Sequence, residues 1–140
     1  MNGSAWAGGS AWGHWLGRYG EEQAARYLIG AGYRLLDRNW VCRDPDLRGE
    51  LDLVARFRRT VVVCEVKTRS GGWLADPVQA VTPDKAVRLR RLATRWLEAQ
   101  RRAAGPAHRL ARVRVDVIAI RTSARPPYPL RTLDHRIGVA

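Results

Sequence analysis

The chain has 140 residues, of which 46% are hydrophobic and 27% charged, which is typical of one globular domain and excludes a disordered chain. The formal net charge of +12 favours a polyanionic partner such as DNA, RNA or an anionic membrane surface. An Arg-rich solvated surface without such a partner is the plainer alternative. The sequence has no long apolar window, no secretory signal and no zinc or disulfide spacing of its two cysteines, so we expect a cytoplasmic protein that does not span a membrane.

The first predicted element is a helix over residues 16–31, ended by Gly32. The Gly-, Ser- and Ala-rich residues 1–15 before it are predicted to form a flexible tail. On a helical wheel Glu21 falls in the apolar stripe with Gly17, Ala24 and Leu28. A buried carboxylate without a partner is costly. Either a cation meets Glu21, or the helix is turned away from this assignment.

Strands and a second helix follow. We predict a short strand over 33–40, a loop over 41–49, and two strands from Glu50 onward that are joined at Arg58-Arg59 as a hairpin. Thr82 and Pro83 are predicted to open a second, Arg-rich helix that ends at residues 105–106. A strand over 111–120, a turn or loop and a C-terminal edge strand complete the chain. We see no internal repeats, so residues 16–140 are predicted to form one domain.

The strand pair carries the strongest chemical pattern. Side chains alternate along a strand, so Glu65 and Lys67 share one face, and Asp52 can lie beside them if the two strands pair. Two neighbouring carboxylates repel, and a bound Mg²⁺ removes that conflict. Such an ion can activate water for attack on a phosphodiester, with Lys67 orienting or deprotonating the water. A structural ion pair at a sheet edge is the alternative for Glu65 and Lys67.

Lysine usage is a further, independent observation. Only two of the 25 basic residues, Lys67 and Lys85, are lysines. Arginine hardly ever gives up its proton, so it would be a poor substitute for Lys67 in proton transfer.

Five segments, in order, resemble the YraN-type family of small bacterial proteins: LGRYGEEQAARYLIGAGYRLLDRNW, GELDLVA, VVVCEVKTR, AVTPDKAVRLRRLATRWL and VRVDVIAI. That family belongs to the PD-(D/E)XK restriction-endonuclease-like superfamily and is similar to archaeal Holliday-junction resolvases. The resemblance covers about residues 16–120. It implies an α/β fold with a mixed central β-sheet flanked by helices.

The resemblance also implies site residues. Asp52, Glu65 and Lys67 match the superfamily's D…ExK positions, Glu21 matches a first-helix carboxylate, and the backbone carbonyl of Val66 would be a further ligand of Mg²⁺ or Mn²⁺. Predicted nucleic-acid contacts are Lys85, Arg69, Arg58, Arg59, Arg88 and Arg91. The sequence departs from the family in a longer segment before Asp52 and in Arg114-Val115-Asp116, where Asp116 is either a structural partner of Arg114 or a site residue.

Two functions stay open at this point. The first is an Mg²⁺-dependent endonuclease acting on DNA, including branched or structured DNA, in repair or recombination. The second is a binding module for nucleic acid or a protein partner that keeps the fold without turnover. A homodimer is compatible with either function, although the sequence contains no signal for one.

Overall fold

The structure, a computed structural model, describes residues 11–71, 76–104 and 112–139. Residues 1–10 of the predicted tail lie outside these ranges. The elements in chain order are helix α1 (Ala11–Gly30), strands β1 (Arg34–Asp44), β2 (Leu47–Phe57) and β3 (Thr60–Ser70), a 3₁₀ turn (Pro77–Ala80), helix α2 (Pro83–Ala104), and strands β4 (Arg112–Thr122) and β5 (Leu130–Arg136).

The five strands form one sheet in the order β1-β2-β3-β4-β5. All neighbours are antiparallel except β3 and β4, which run parallel. A parallel pair needs a long crossover, and the segment containing the 3₁₀ turn and α2 provides it. The predicted α/β fold with a mixed sheet and flanking helices is confirmed, and β5 is the predicted edge strand.

The two helices cover opposite faces of the sheet. Ala24, Ala25 and Leu28 of α1 pack in a core cluster with Leu53 and Cys64. The second cluster combines the predicted apolar stripe of α2 with the other face of the strands: Val54, Val61, Val63, Leu89, Leu92, Ala93, Trp96 and Leu97. Successive residues of β3, and residues 53–55 of β2, therefore enter different cores, as strand alternation requires. Leu51 and Leu53 are the exception, because they lie two residues apart and yet pack in different clusters.

Two sequence predictions about local structure are wrong. Helix α1 begins at Ala11, so residues 11–15 are helical instead of tail-like; Gly13 of this added turn is buried, as is Leu16 directly after it. Residues 41–49 are not a loop, because β1 and β2 pair as far as Asp44 and Leu47. Cys42 and Leu47 are buried, and this burial outweighs the loop-like composition around the tight turn at Pro45.

Other local predictions are confirmed. Arg58 adopts the left-handed backbone conformation, with φ of 56°, in the two-residue turn between β2 and β3. Thr82 caps α2 through a hydrogen bond of 3.2 Å from the Lys85 amide to its hydroxyl. Within the described ranges, no helix is both long enough and apolar enough to cross a membrane.

Gly20 sets the approach of α1 to β3 and generates a stability prediction. A Cβ added at Gly20 would lie 2.8 Å from Cβ of Thr68 and closer still to its hydroxyl. We expect Gly20→Ala to lower the free energy of unfolding by about 1–3 kcal/mol through overpacking, measured by urea denaturation.

Gly30→Ala is the matched control in the same helix, because a Cβ there meets no heavy atom within 4 Å. We expect this change to be neutral or stabilising by up to about 1 kcal/mol. Equal losses of stability in the two variants would contradict the packing explanation.

Candidate metal centre in a fork of the sheet

Strands β2 and β3 separate part-way along their length. Their pairing runs from Phe57 with Thr60 to Leu53 with Cys64 and ends there. Beyond this point residues 47–52 pair only with β1, and residues 65–70 only with β4. The sheet therefore opens as a fork, which we define as residues 47–52 of β2 and 65–70 of β3.

A cavity of about 670 Å³ lies at the fork. Both helices contribute to its wall although they cover opposite faces of the sheet. Its charged and polar lining residues are Glu21, Glu50, Asp52, Glu65, Lys67, Thr68, Asp84, Lys85 and Arg88. The fork thus brings together side chains that a continuous sheet would keep apart.

Asp52 is the first residue of β2 beyond the last pair with β3. Its Oδ2 accepts a hydrogen bond of 2.9 Å from the amide of Val66. A buried amide must find an acceptor, and here a carboxylate replaces the missing strand partner. The carbonyl of Val66 is the metal ligand predicted from the sequence. In the structure, the amide of the same residue donates a hydrogen bond to Asp52.

Asp52 and Glu65 lie close enough together for each carboxyl group to shift the pKa of the other. Burial first, and then the neighbouring charge of Glu65, raise the pKa of Asp52 from 3.8 to about 8. Burial also raises the pKa of Glu65, but the interactions with Asp52, Lys85 and Lys67 outweigh it, so this pKa is lowered. The surroundings of the pair therefore favour a proton on Asp52 over one on Glu65.

Both lysines of the chain meet at Glu65. Lys67 Nζ lies 3.8 Å from Glu65 Oε2, on the face that strand alternation predicts. Lys85 Nζ, from α2, contacts the same oxygen. Lys85 was predicted to reach the phosphate backbone; in the structure its ammonium lies in the cavity with about a third of the side chain exposed. The ammonium groups of both lysines thus lie beside one carboxylate of the buried pair.

Glu21 reaches the fork from α1 and is half-buried at the margin of the apolar stripe. Carboxylate oxygens of Glu21, Glu50 and Asp52 lie within 4.8 Å of one another. Burial and the charge of Glu50 raise the pKa of Glu21, partly offset by a hydrogen bond from Asn39. Helix α1 therefore keeps the orientation that the helical wheel assigns to it, and the Glu21 carboxylate lines the cavity.

The sequence reasoning missed Glu50 and Asn39. The Asn39 amide donates to Glu21 at 3.0 Å and to Glu50 at 3.1 Å. Two signals were available: Glu50 shares a strand face with Asp52, and Asn is depleted in strands. The backbone of Asn39 is left-handed, with φ of 49°, a conformation that Asn tolerates better than most residues.

The donor set fits a hard divalent cation. The cavity gathers carboxylate oxygens, and such oxygens are the preferred ligands of Mg²⁺ and Mn²⁺. Burial is the largest cause of the raised pKa values of Asp52 and Glu21, and the charges of neighbouring carboxylates raise both further, so both groups would ionise more readily beside a positive charge. A divalent ion would supply that charge.

The predicted basic contacts fall into two groups by position. Arg88 lines the cavity, and Arg91 lies on the same helix, 3.9 Å from Asp46. The Arg58-Arg59 turn lies at the other end of β3. Thr60, next to this turn, is five positions from Glu65 along the strand, which corresponds to roughly 16 Å.

Arg69 has a different environment. It is 9% exposed, and burial together with Arg121 lowers its pKa. The structure gives this predicted contact little surface for a phosphate.

Asp116 has a structural explanation. It is fully buried on the α1 side of the sheet, paired with Cys64 in the strand register and outside the lining of the fork cavity. Its carboxylate accepts hydrogen bonds from Arg114, from His135 and from the Gly138 amide. These contacts tie β4 to β5 and to the residues that follow, so the structural alternative accounts for Asp116.

Comparison with known proteins places the sequence among close relatives. The profile described as "Uncharacterised protein family UPF0102" matches residues 20–120. A UPF0102 protein of Streptomyces coelicolor is 47% identical over 125 residues, covering 89% of this chain and 88% of the relative. A UPF0102 protein of Frankia alni is 46% identical, with 88% and 92% covered. A third, of Acidothermus cellulolyticus, is 50% identical, with 75% and 80% covered.

The raised pKa of Asp52 predicts a pH-dependent stability. Because the folded-state pKa of about 8 lies above the ordinary 3.8, the folded protein binds the proton more tightly and loses stability as pH rises between these values. Asp52→Asn removes this loss. In EDTA, we expect its stability relative to wild type to be greater at pH 8 than at pH 5 by on the order of a few kcal/mol.

Urea denaturation at the two pH values measures the effect. Glu98→Gln, an exposed change on α2, is the control and should show the wild-type pH profile. If Asp52→Asn also followed that profile, the carboxyl of Asp52 would not hold the proton.

Proposed function

The chain belongs to the UPF0102 family, which confirms the resemblance seen in its motifs, and we propose that it is a metal-dependent nuclease that hydrolyses phosphodiester bonds in DNA. One observation carries the proposal. Asp52, Glu65, Lys67 and Glu21, separated along the sequence, line a single cavity beside an Arg-rich helix. A structural ion pair alone would not require a second buried carboxyl group or a third carboxylate at the same cavity.

Asp52, Glu65 and Glu21, with the Val66 carbonyl, are the residues proposed to hold Mg²⁺ or Mn²⁺. When bound, such an ion stabilises charge on a phosphate and lowers the pKa of water. Asp52 must lose its proton to become a ligand. Its elevated pKa therefore makes binding pH-dependent, with weaker binding at acid pH.

Lys67 is proposed to position the attacking water and to exchange a proton with it. The lysine is tethered beside Glu65, yet about a third of its side chain is exposed, so its ammonium can meet a substrate phosphate or water. A compact ammonium is more easily deprotonated than a guanidinium. Lys85 balances Glu65 and, because its side chain is also partly exposed, is free to turn toward phosphate once Glu65 has another cation.

The substrate is assigned by charge. Polyanion binding is supported by the net charge of +12 and by the arginines of α2. Arg88 lines the cavity, and Arg91 lies about one turn further along the same helix, so both arginines can hold the DNA backbone near a bond placed in the cavity. Such contacts bind without reading sequence. The likeness to junction resolvases extends the proposal to branched or structured DNA and to a role in repair or recombination.

A second function, binding without turnover, is supported by one contact. Lys85 occupies the Glu65 oxygen that a metal would use. If this ion pair persists with DNA bound, the protein holds nucleic acid and does not cut it.

Cleavage assays separate the two functions. We expect metal-dependent cleavage of labelled duplex, single-stranded or four-way-junction DNA in Mg²⁺ or Mn²⁺ and none in EDTA. Asp52→Ala or Lys67→Ala should lower the rate by about 100-fold or more. Lys67→Arg should stay as slow as Lys67→Ala if proton transfer matters, and should recover if charge alone matters.

Glu98→Gln should cleave like the wild type. Duplex binding in EDTA and circular dichroism check that each variant is folded. Binding without metal-dependent cleavage of any substrate would refute the nuclease and leave the second function. Cleavage that survives Asp52→Ala combined with Lys67→Ala would identify a contaminant.

The α2 arginines generate a salt-dependence prediction. In EDTA, Arg88→Ala combined with Arg91→Ala should reduce the slope of log affinity against log salt by about 2, because two phosphates are no longer neutralised by an arginine. Arg26→Ala, which removes an exposed Glu22 partner on α1, is the control and should leave the slope unchanged. If the wild type, the double variant and the Arg26→Ala control had equal slopes, the α2 arginines would not belong to the DNA-binding surface.

A further inference from the structure

Aromatic rings, exposed at Trp12 and Trp15 and partly buried at Tyr19, follow one side of α1. Trp12, Trp15 and Tyr19 stack in sequence, with ring centroids 5.5 Å apart in both steps and planes inclined by 16° and 6°. Tyr128, from the loop between β4 and β5, packs against Trp12 at 4.5 Å and against Trp15 at 6.0 Å. We call these four residues the aromatic platform.

The platform is not part of the core. Gly13, Leu16 and Gly20 form the buried side of this part of α1, whereas Trp12 is 39% and Trp15 41% exposed. Single exposed aromatic residues are ordinary, but a grouped apolar surface marks an interaction site. The stacked rings cover part of one another, and the exposed parts of Trp12 and Trp15 are the surface that a base could contact.

The loop fixes the fourth ring. Tyr128 has a left-handed backbone, with φ of 58°, which is unfavourable for a bulky residue. Hydrogen bonds of 2.8 Å from the Tyr128 amide to the Arg125 carbonyl, and from the Ser123 amide to the Pro129 carbonyl, close the loop. The strained conformation holds the Tyr128 ring against the two indoles.

Positive charge accompanies the rings. Arg18 on α1 and Arg125 in the same loop as Tyr128 are exposed. Stacking rings combined with basic side chains are the means by which proteins bind single-stranded nucleic acid. The net charge of +12 favours a phosphate-bearing occupant over an apolar peptide.

The platform and the fork share α1. Trp15 and Glu21 are six residues apart, or about 9 Å along the helix axis, on different sides of a helix about 10 Å across. We propose that the aromatic platform binds unpaired bases of the DNA whose backbone enters the fork. The proposal rests on the nuclease function for the identity of its ligand, and it narrows the substrate to DNA with a single-stranded or open segment.

Binding of fluorescein-labelled oligothymidylate, an abasic strand of equal length and a duplex, all in EDTA, tests the platform. Bases stacked on aromatic rings contribute about 1–3 kcal/mol each, so the wild type should bind oligothymidylate about tenfold or more tightly than the abasic strand. Trp12→Ala combined with Trp15→Ala should bring the two affinities to within about threefold of each other. The double variant should bind the duplex with an affinity within about twofold of wild type, because its contacts to phosphates remain.

Ile29→Ala removes a 54% exposed apolar side chain from the same helix and should keep the wild-type preference, as should Trp15→Phe in large part. Equal wild-type affinity for the oligothymidylate and abasic strands would overturn the platform. Parallel loss of all three ligands in the double variant, or platform-dependent binding to anionic vesicles without base preference, would do the same.

The assay needs no cleavage, so the platform proposal can fail while the nuclease stands. Conversely, base-dependent binding by a protein that never cuts would support the platform and refute the nuclease.

Discussion

The hydrogen bond from the Val66 amide to the Asp52 carboxylate is the contact on which the site depends. It is formed where β2 and β3 stop pairing, and it replaces the strand partner that this amide would otherwise need. The strands can therefore separate without leaving the amide unsatisfied. The opening admits Glu21 from one face of the sheet and Lys85 from the other. If β2 and β3 paired along their whole length, Glu21 and Lys85 would stay on opposite faces of the sheet.

Charge in the fork is balanced by several groups, and each restricts the others. Burial and the neighbouring Glu65 favour the protonated form of Asp52, and the ammonium groups of Lys67 and Lys85 lie beside Glu65. Asn39 donates hydrogen bonds to both Glu21 and Glu50. In the proposed site, a divalent cation would displace the proton and release at least one lysine. Metal binding, proton release and the availability of a lysine for phosphate would then be linked, so that the site would respond to substrate and to pH together.

Much of this arrangement could be predicted from the sequence, because its signals are local. Alternation along TVVVCEVKT placed Glu65 with Lys67, and Asp52 followed from the short Arg58-Arg59 turn. The hairpin tip at Pro45 could not be predicted, because burial of Cys42 and Leu47 is a tertiary effect. Asn39 and Glu50 were missed for a similar reason: their roles depend on how β1 meets α1. The sequence pattern does not reveal the fork, since β2 and β3 both continue as strands beyond the point where they separate.

The contacts in the fork provide a physical explanation for where the chain uses lysine instead of arginine. Arginine supplies nearly every positive charge, yet the two cations at Glu65 are lysines. A guanidinium would bind this carboxylate through two parallel hydrogen bonds in a fixed plane, and would compete strongly with any metal for the same oxygens. An ammonium on a flexible stem neutralises the charge through a point contact and withdraws more readily. The exception to the chain's preference for arginine therefore falls where a cation must be both near a carboxylate and replaceable.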